Sequence, residues 1–131
     1  MDNLYISVGL GLVLFVFLLW VLRPRKKRLT QHSFAKAMDA ISSTSDLDPA
    51  HAVLKCHSAF IQALKSMYAG KKDMTAAKLV KSVEKRLPNT TKIWAFHRMR
   101  NRIAHESQGM VAPVKAKEAR REFIRALEAL K

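Results

Sequence analysis

Cys56 is the sole cysteine of the chain, which excludes an intrachain disulfide and a zinc site built from cysteines. It reads as a small core residue in a reducing compartment. Acids are scarce as well: ten Asp and Glu stand against 24 Lys and Arg, for a net charge of +14 in 131 residues. Such a field favours polyanions, whether RNA, DNA or anionic lipid headgroups, and charge alone does not choose among them. The four glycines build no Gly-rich phosphate loop. There is no His-Glu-x-x-His and no nucleophile elbow, which weakens the case for P-loop enzymes, zinc proteases and serine hydrolases. Nothing reads as a strand, a repeat or a low-complexity tract.

What the chain does have is charge separated from a long apolar run. Residues 4–22 carry no charge, and every Lys and Arg lies after Leu22. At ~1.5 Å per residue the run is roughly 28 Å long, close to the ~30 Å of a hydrocarbon core. A cleaved signal peptide wants a basic start and a small-residue cleavage site, whereas here the start is Met-Asp-Asn and the end is Arg-rich. The expectation is therefore an uncleaved transmembrane anchor over residues 1–22. Arg23, Arg25, Lys26, Lys27 and Arg28 cluster on its C-terminal flank. By the positive-inside rule the N-terminus faces out and the C-terminal domain is cytoplasmic, in a bacterial inner membrane, with anionic headgroups near the cluster. Trp20 suits the interface, and Ser7 with Gly11 forms one small-x-x-x-small pair.

Residues 23–47 read as a basic juxtamembrane segment and linker. Within them Phe34, Ala37, Met38 and Ile41 recur at helical spacing, as a short helix or an amphipathic piece on the membrane surface. Asp48-Pro49 starts the next helix, with a capping carboxylate and proline at the first position. That helix runs to about residue 69, with Val53, Cys56, Phe60, Leu64 and Met67 on one face; Gly70 ends it, and Lys71 and Lys72 follow. A further helix over about 75–87 buries Ala76, Leu79, Val80, Val83 and Leu87 before Pro88. Asn89 or Thr90 caps the following helix, which breaks at residues 108–113. A last helix over about 114–130 turns Ala119, Phe123, Ala126, Leu127 and Leu130 inward. The fold class is all-α: one N-terminal transmembrane helix, then a small antiparallel bundle over residues 48–131. Its core is thin, so marginal stability or dimerisation follows.

Residues 93–106 are where an apolar stripe carries polar groups able to do chemistry. Ile93, Phe96, Arg100 and Ile103 share one helical stripe, so an arginine sits in a core-facing row. Beside it run His97, Asn101 and His105 at i, i+4, i+8. A guanidinium there is costly unless partners meet it. A structural role would satisfy it by pairing with Glu106 or capping a neighbouring helix, with His97 and His105 as ordinary half-buried histidines. His51, Cys56 and His57 lie close in sequence, but Cys56 and His57 point to different sides of a helix, which argues against a metal site.

The string Arg100-Asn101-x-x-Ala104-His105, in a small basic helical domain, resembles the motif of the HEPN superfamily: an arginine, a polar residue, a few more residues and a histidine. The likeness covers roughly residues 48–131. It implies a HEPN-like bundle and a metal-independent endoribonuclease of toxin or defence type, with no cofactor. A ribose 2′-hydroxyl would attack the adjacent phosphodiester and leave a 2′,3′-cyclic phosphate. His105 would move the proton, Arg100 would meet the phosphorane charge, and Asn101 would orient the ring or the phosphate. His97 would be an accessory, and Lys92, Arg98 and Arg102 would hold the RNA through phosphate contacts. Residues i and i+5 of a helix diverge by about 140°, so Arg100 and His105 call for a homodimer with a shared cleft. The competing expectation is a non-catalytic, membrane-tethered binding or assembly module on the same fold.

Overall fold

The computed structural model describes residues 2–23, 26–71, 73–106 and 110–131, with side chains from residue 8 onward. Among these residues all regular structure is helical: α1 (Asp2–Val21), α2 (Gln31–Ser42), α3 (Pro49–Met67), α4 (Ala76–Val83) continued by a 3₁₀ turn (Glu84–Arg86), α5 (Thr90–His105) and α6 (Pro113–Glu128). Local chemistry sets several starts. The Thr30 hydroxyl accepts from the Ser33 amide, the Asp48 carboxylate from His51 and the Thr75 hydroxyl from Lys78. Each satisfies one of the amides that a helix start leaves without a partner. Proline occupies the first turn of α3 and α6, where no amide is needed.

The core lies around α3, which packs chiefly on α6 and α2 and also on α5 and α4. Val53, Cys56, Phe60, Leu64 and Met67 are buried, as their spacing predicts. Phe123 of α6 sits at its centre, 5.3 Å from Phe60 and 5.9 Å from Phe96 between ring centroids. Burial raises the pKa of the Cys56 thiol, which lies 3.6 Å from the Thr44 hydroxyl. Asn89 precedes α5, yet its side chain does not cap it. Instead its Nδ2 donates to the Glu122 carbonyl at 2.8 Å and to Glu122 Oε2 at 2.7 Å, tying α5 to α6.

The transmembrane anchor expected over residues 1–22 is corrected. Among the described residues no helix is long and apolar enough to cross a membrane. The single-pass topology, the outside N-terminus and the inner-membrane location rested on that span and go with it. Ser7 and Arg25, each given a part in that picture, lie outside the described side chains, as do Lys72 and residues 107–109 of the break after α5.

Residues 26–42 belong to the bundle. α2 packs on α3 and α6 and buries Ala37 and Ile41, so the helix reading holds over the membrane-surface one. Ahead of it, buried Leu29 donates its amide to the Leu130 carbonyl at 2.7 Å, and Arg86 Nη1 donates to the Lys27 carbonyl at 2.5 Å.

Candidate functional site

α5 carries the arginine whose core-facing position asked for a partner. Ile93 and Phe96 are buried on the same stripe, but Arg100 comes one turn later, where the stripe reaches the edge of the core, and it is half-buried. Its Nη1 donates to Asn101 Oδ1 at 3.2 Å. Among the described residues Arg100 makes no ion pair, neither with Glu106 nor with any other acid. Arg100 borders a cleft of about 570 Å³ between α3, α5 and the start of α4, whose walls, among the described residues, include His57, Lys65, His97, Arg100 and Asn101 and no carboxylate.

The floor of the cleft is a pair of imidazoles. His57 of α3 is 4% exposed, and its Nε2 lies 3.0 Å from His97 Nδ1 of α5. Packing fixes both rings: Phe123 meets His57 edge-on, and Trp94 meets His97 edge-on. The Trp94 indole in turn donates to Glu84 Oε2 at 3.3 Å. Burial, followed by the neighbouring His97 and Arg100 charges, pushes the His57 pKa down to about 4. His97 is lowered by burial first, then by Arg100 and Arg98. Both rings are therefore neutral at physiological pH. If His97 donates from Nδ1, its Nε2 is left with a free lone pair, a proton acceptor beside a fixed cation.

Of the residues named from sequence, the structure thus brings Arg100, Asn101 and His97 together. His105 is placed elsewhere: it ends α5, is exposed and does not line the cleft. α5 runs unbroken from Thr90 to His105, so the divergence from Arg100 expected of i and i+5 stands within one chain. Lys92 is engaged by Glu118 at 2.5 Å, and Lys115 meets the same carboxylate at 2.9 Å. These two hydrogen bonds lower the Glu118 pKa to about 2. Arg98 is exposed and outside the cleft; Arg102 is exposed and borders a separate depression with Glu106 and Val111. Arg23, Lys26, Lys27 and Arg28 are exposed, and the Lys27 ammonium lies 5.1 Å from the centroid of the Tyr68 ring.

Two cleft residues escaped the sequence reading. His57 and Lys65 lie eight positions apart on α3, with Ile61 between them, and all three line the cleft. That i, i+4, i+8 row was visible as a pattern, but only the packing of α3 on α5 shows that it faces Arg100. His51 is not part of the site; it is exposed and bonded to Asp48. Among the described residues no three His, Cys, Asp or Glu side chains gather as metal ligands would. No family model matches the chain, and no curated protein or solved structure matches it at a significant level.

Proposed function

We propose that this protein binds RNA in the cleft of Arg100 and cleaves it without a metal ion. The observation that carries the reading is the meeting, in one cleft, of a guanidinium that makes no ion pair among the described residues with a hydrogen-bonded pair of neutral imidazoles. The chain's charge of +14 adds a field that draws in polyanions. A planar guanidinium suits a phosphate and the charge that grows on it during displacement. A neutral imidazole suits removal of a hydroxyl proton near pH 7.

In this reading His97 Nε2 takes the proton of a ribose 2′-hydroxyl, whose oxygen bonds to the adjacent phosphorus. The bond from phosphorus to the 5′-oxygen breaks, and the proton passes from the imidazolium to that oxygen. A 2′,3′-cyclic phosphate and a free 5′-hydroxyl remain. Here His97 Nδ1 is taken as the donor and His57 Nε2 as the acceptor of their 3.0 Å contact, the tautomer that leaves His97 Nε2 free. Arg100 holds the phosphate, and Asn101 holds Arg100. The reaction is the one that the HEPN resemblance implies, with the proton acceptor moved from His105 to His97. A homodimer is required only if His105 of a second copy completes the site.

The test is the full-length chain with end-labelled single-stranded RNA in EDTA. Products ending in cyclic phosphate are expected, with losses of about 100-fold or more in His97→Ala and Arg100→Ala and wild-type rates in His105→Ala. If cleavage is unchanged in the first two variants, the assignment is wrong. A wild-type chain that binds RNA and leaves it intact would be a non-catalytic binding module. Loss of cleavage in His105→Ala would bring back the two-copy arrangement.

A further inference from the structure

A second, smaller pocket opens beside the cleft, at the C-terminal end of α3. Its volume is about 200 Å³, and Lys65, Tyr68, Lys71, Met74 and Leu79 are among the residues that line it. Lys65 and Met74 also line the Arg100 cleft, so the two spaces adjoin across those side chains. Tyr68 caps α3 with non-helical backbone angles, φ −117° and ψ 34°, and its carbonyl accepts from the Lys71 amide at 2.8 Å. Lys71 follows that turn and lines the same pocket as the half-buried Tyr68, while Lys27 lies over one face of the Tyr68 ring.

The contents of this pocket differ in kind from those of the cleft. An aromatic ring and the apolar Met74 and Leu79 suit a flat, weakly polar group, and the lysines at the mouth suit the charges that flank it. Unpaired nucleobases on a phosphodiester chain have that composition, and stacking on aromatic rings under a cationic rim is how single strands are held without regard to sequence. The volume admits one ring system, and a base inside a duplex would have to pay unpairing and unstacking energy before it could enter, a cost that an unpaired base avoids.

We propose that the Tyr68 pocket takes one unpaired base of the strand whose phosphate lies at Arg100, with Lys65 at the phosphate between the two sites. The proposal rests on the RNA reading above and adds that the ligand is single-stranded and gripped by a base as well as by its backbone. It also assigns a role to Tyr68, Lys65 and Lys71, which take no part in the chemistry.

The experiment compares two labelled strands of about twelve nucleotides, a size within the range that single-strand sites occupy. One is 2′-O-methyl oligouridylate, and the other is a base-free strand with the same backbone. Fluorescence anisotropy is read for the full-length wild type and for Tyr68→Leu and Tyr68→Phe. The wild type and Tyr68→Phe are expected to bind the base-bearing strand at least about tenfold tighter than the base-free one. In Tyr68→Leu that gap should close, with affinity for the base-free strand unchanged. Equal binding of both strands by the wild type overturns the proposal, and so does a gap that persists in Tyr68→Leu. Since 2′-O-methyl strands cannot be cut, absence of catalysis does not enter the measurement. A wild type that binds neither strand overturns the RNA reading as well. The base-free strand tests the wild type directly, so a Tyr68→Leu chain that fails to fold leaves a decisive comparison.

Discussion

His57 Nε2 and His97 Nδ1 face each other at 3.0 Å, one ring carried by α3 and the other by α5. A hydrogen bond between two imidazole nitrogens needs one ring to donate and the other to accept, and two imidazolium ions would meet with donors on both sides. The pair therefore joins α3 to α5 only while at least one ring is neutral. It lies against Phe123 in the core, with Arg100 close enough to disfavour further positive charge. The same interaction that would prepare a proton acceptor also makes the bundle sensitive to acid.

The first prediction concerns stability against pH. His57 titrates near 4 in the folded chain, against 6.5 for the free side chain. The unfolded chain thus binds the proton more readily, and stability must fall as pH drops from about 6.5 towards 4. A shift of that size corresponds to a loss on the order of 3 kcal/mol, complete below the folded value. Urea unfolding of wild type and His57→Leu at several pH values checks it. The substitution should flatten the curve in this window; parallel curves would show that His57 contributes no such linkage.

The second prediction isolates Arg100. Its charge helps to lower the His97 pKa, after burial. Arg100→Gln removes the charge and keeps a polar side chain of similar reach. The His97 pKa, read from its ring resonances by NMR, should rise towards the ordinary histidine range without reaching it, because burial and Arg98 remain. No movement would mean that Arg100 and His97 do not sense each other.

How far the sequence was legible depends on what each residue faces. The stripes of α3 and α6 could be read because an apolar residue at helical spacing has one favourable destination, and Val53, Phe60, Phe123 and Leu127 all reached it. Arg100 could be singled out because a guanidinium in such a stripe demands an explanation. His57 could not be assigned, since its neighbour on α5 is 40 positions away and no local pattern records which faces of two helices meet. Lys92 misled for the complementary reason: a cation near the motif looks free until Glu118 of another helix is found beside it.

α2 provides the third prediction. Ile41 is fully buried, and α2 packs on α3 and α6. Ile41→Ala should therefore cost about 2–5 kcal/mol, the usual range for emptying a core site of this size. Denaturant unfolding of the full chain measures it. A loss below about 0.5 kcal/mol would match an exposed linker position and would contradict the packing of α2.

The fourth prediction sets Glu118 against His57. Lys92 and Lys115 together hold the Glu118 carboxyl near a pKa of 2, well below the 4.5 of an ordinary glutamate. A depressed carboxylate stabilises the fold above its unfolded pKa, and that contribution disappears as pH falls from about 4.5 through 2. The two lysine side chains are 53% and 46% exposed, so water screens them and the contribution should be about 1 kcal/mol or less. Glu118→Gln should thus cost little at pH 7, cost less still in molar salt, and differ from wild type by nothing below pH 2. The two acid effects separate along the pH axis, because the His57 loss is complete by about pH 4, where most of the Glu118 loss has yet to occur. A Glu118→Gln chain destabilised equally at all pH values and salt concentrations would show that Glu118 acts through packing, with no contribution from its charge.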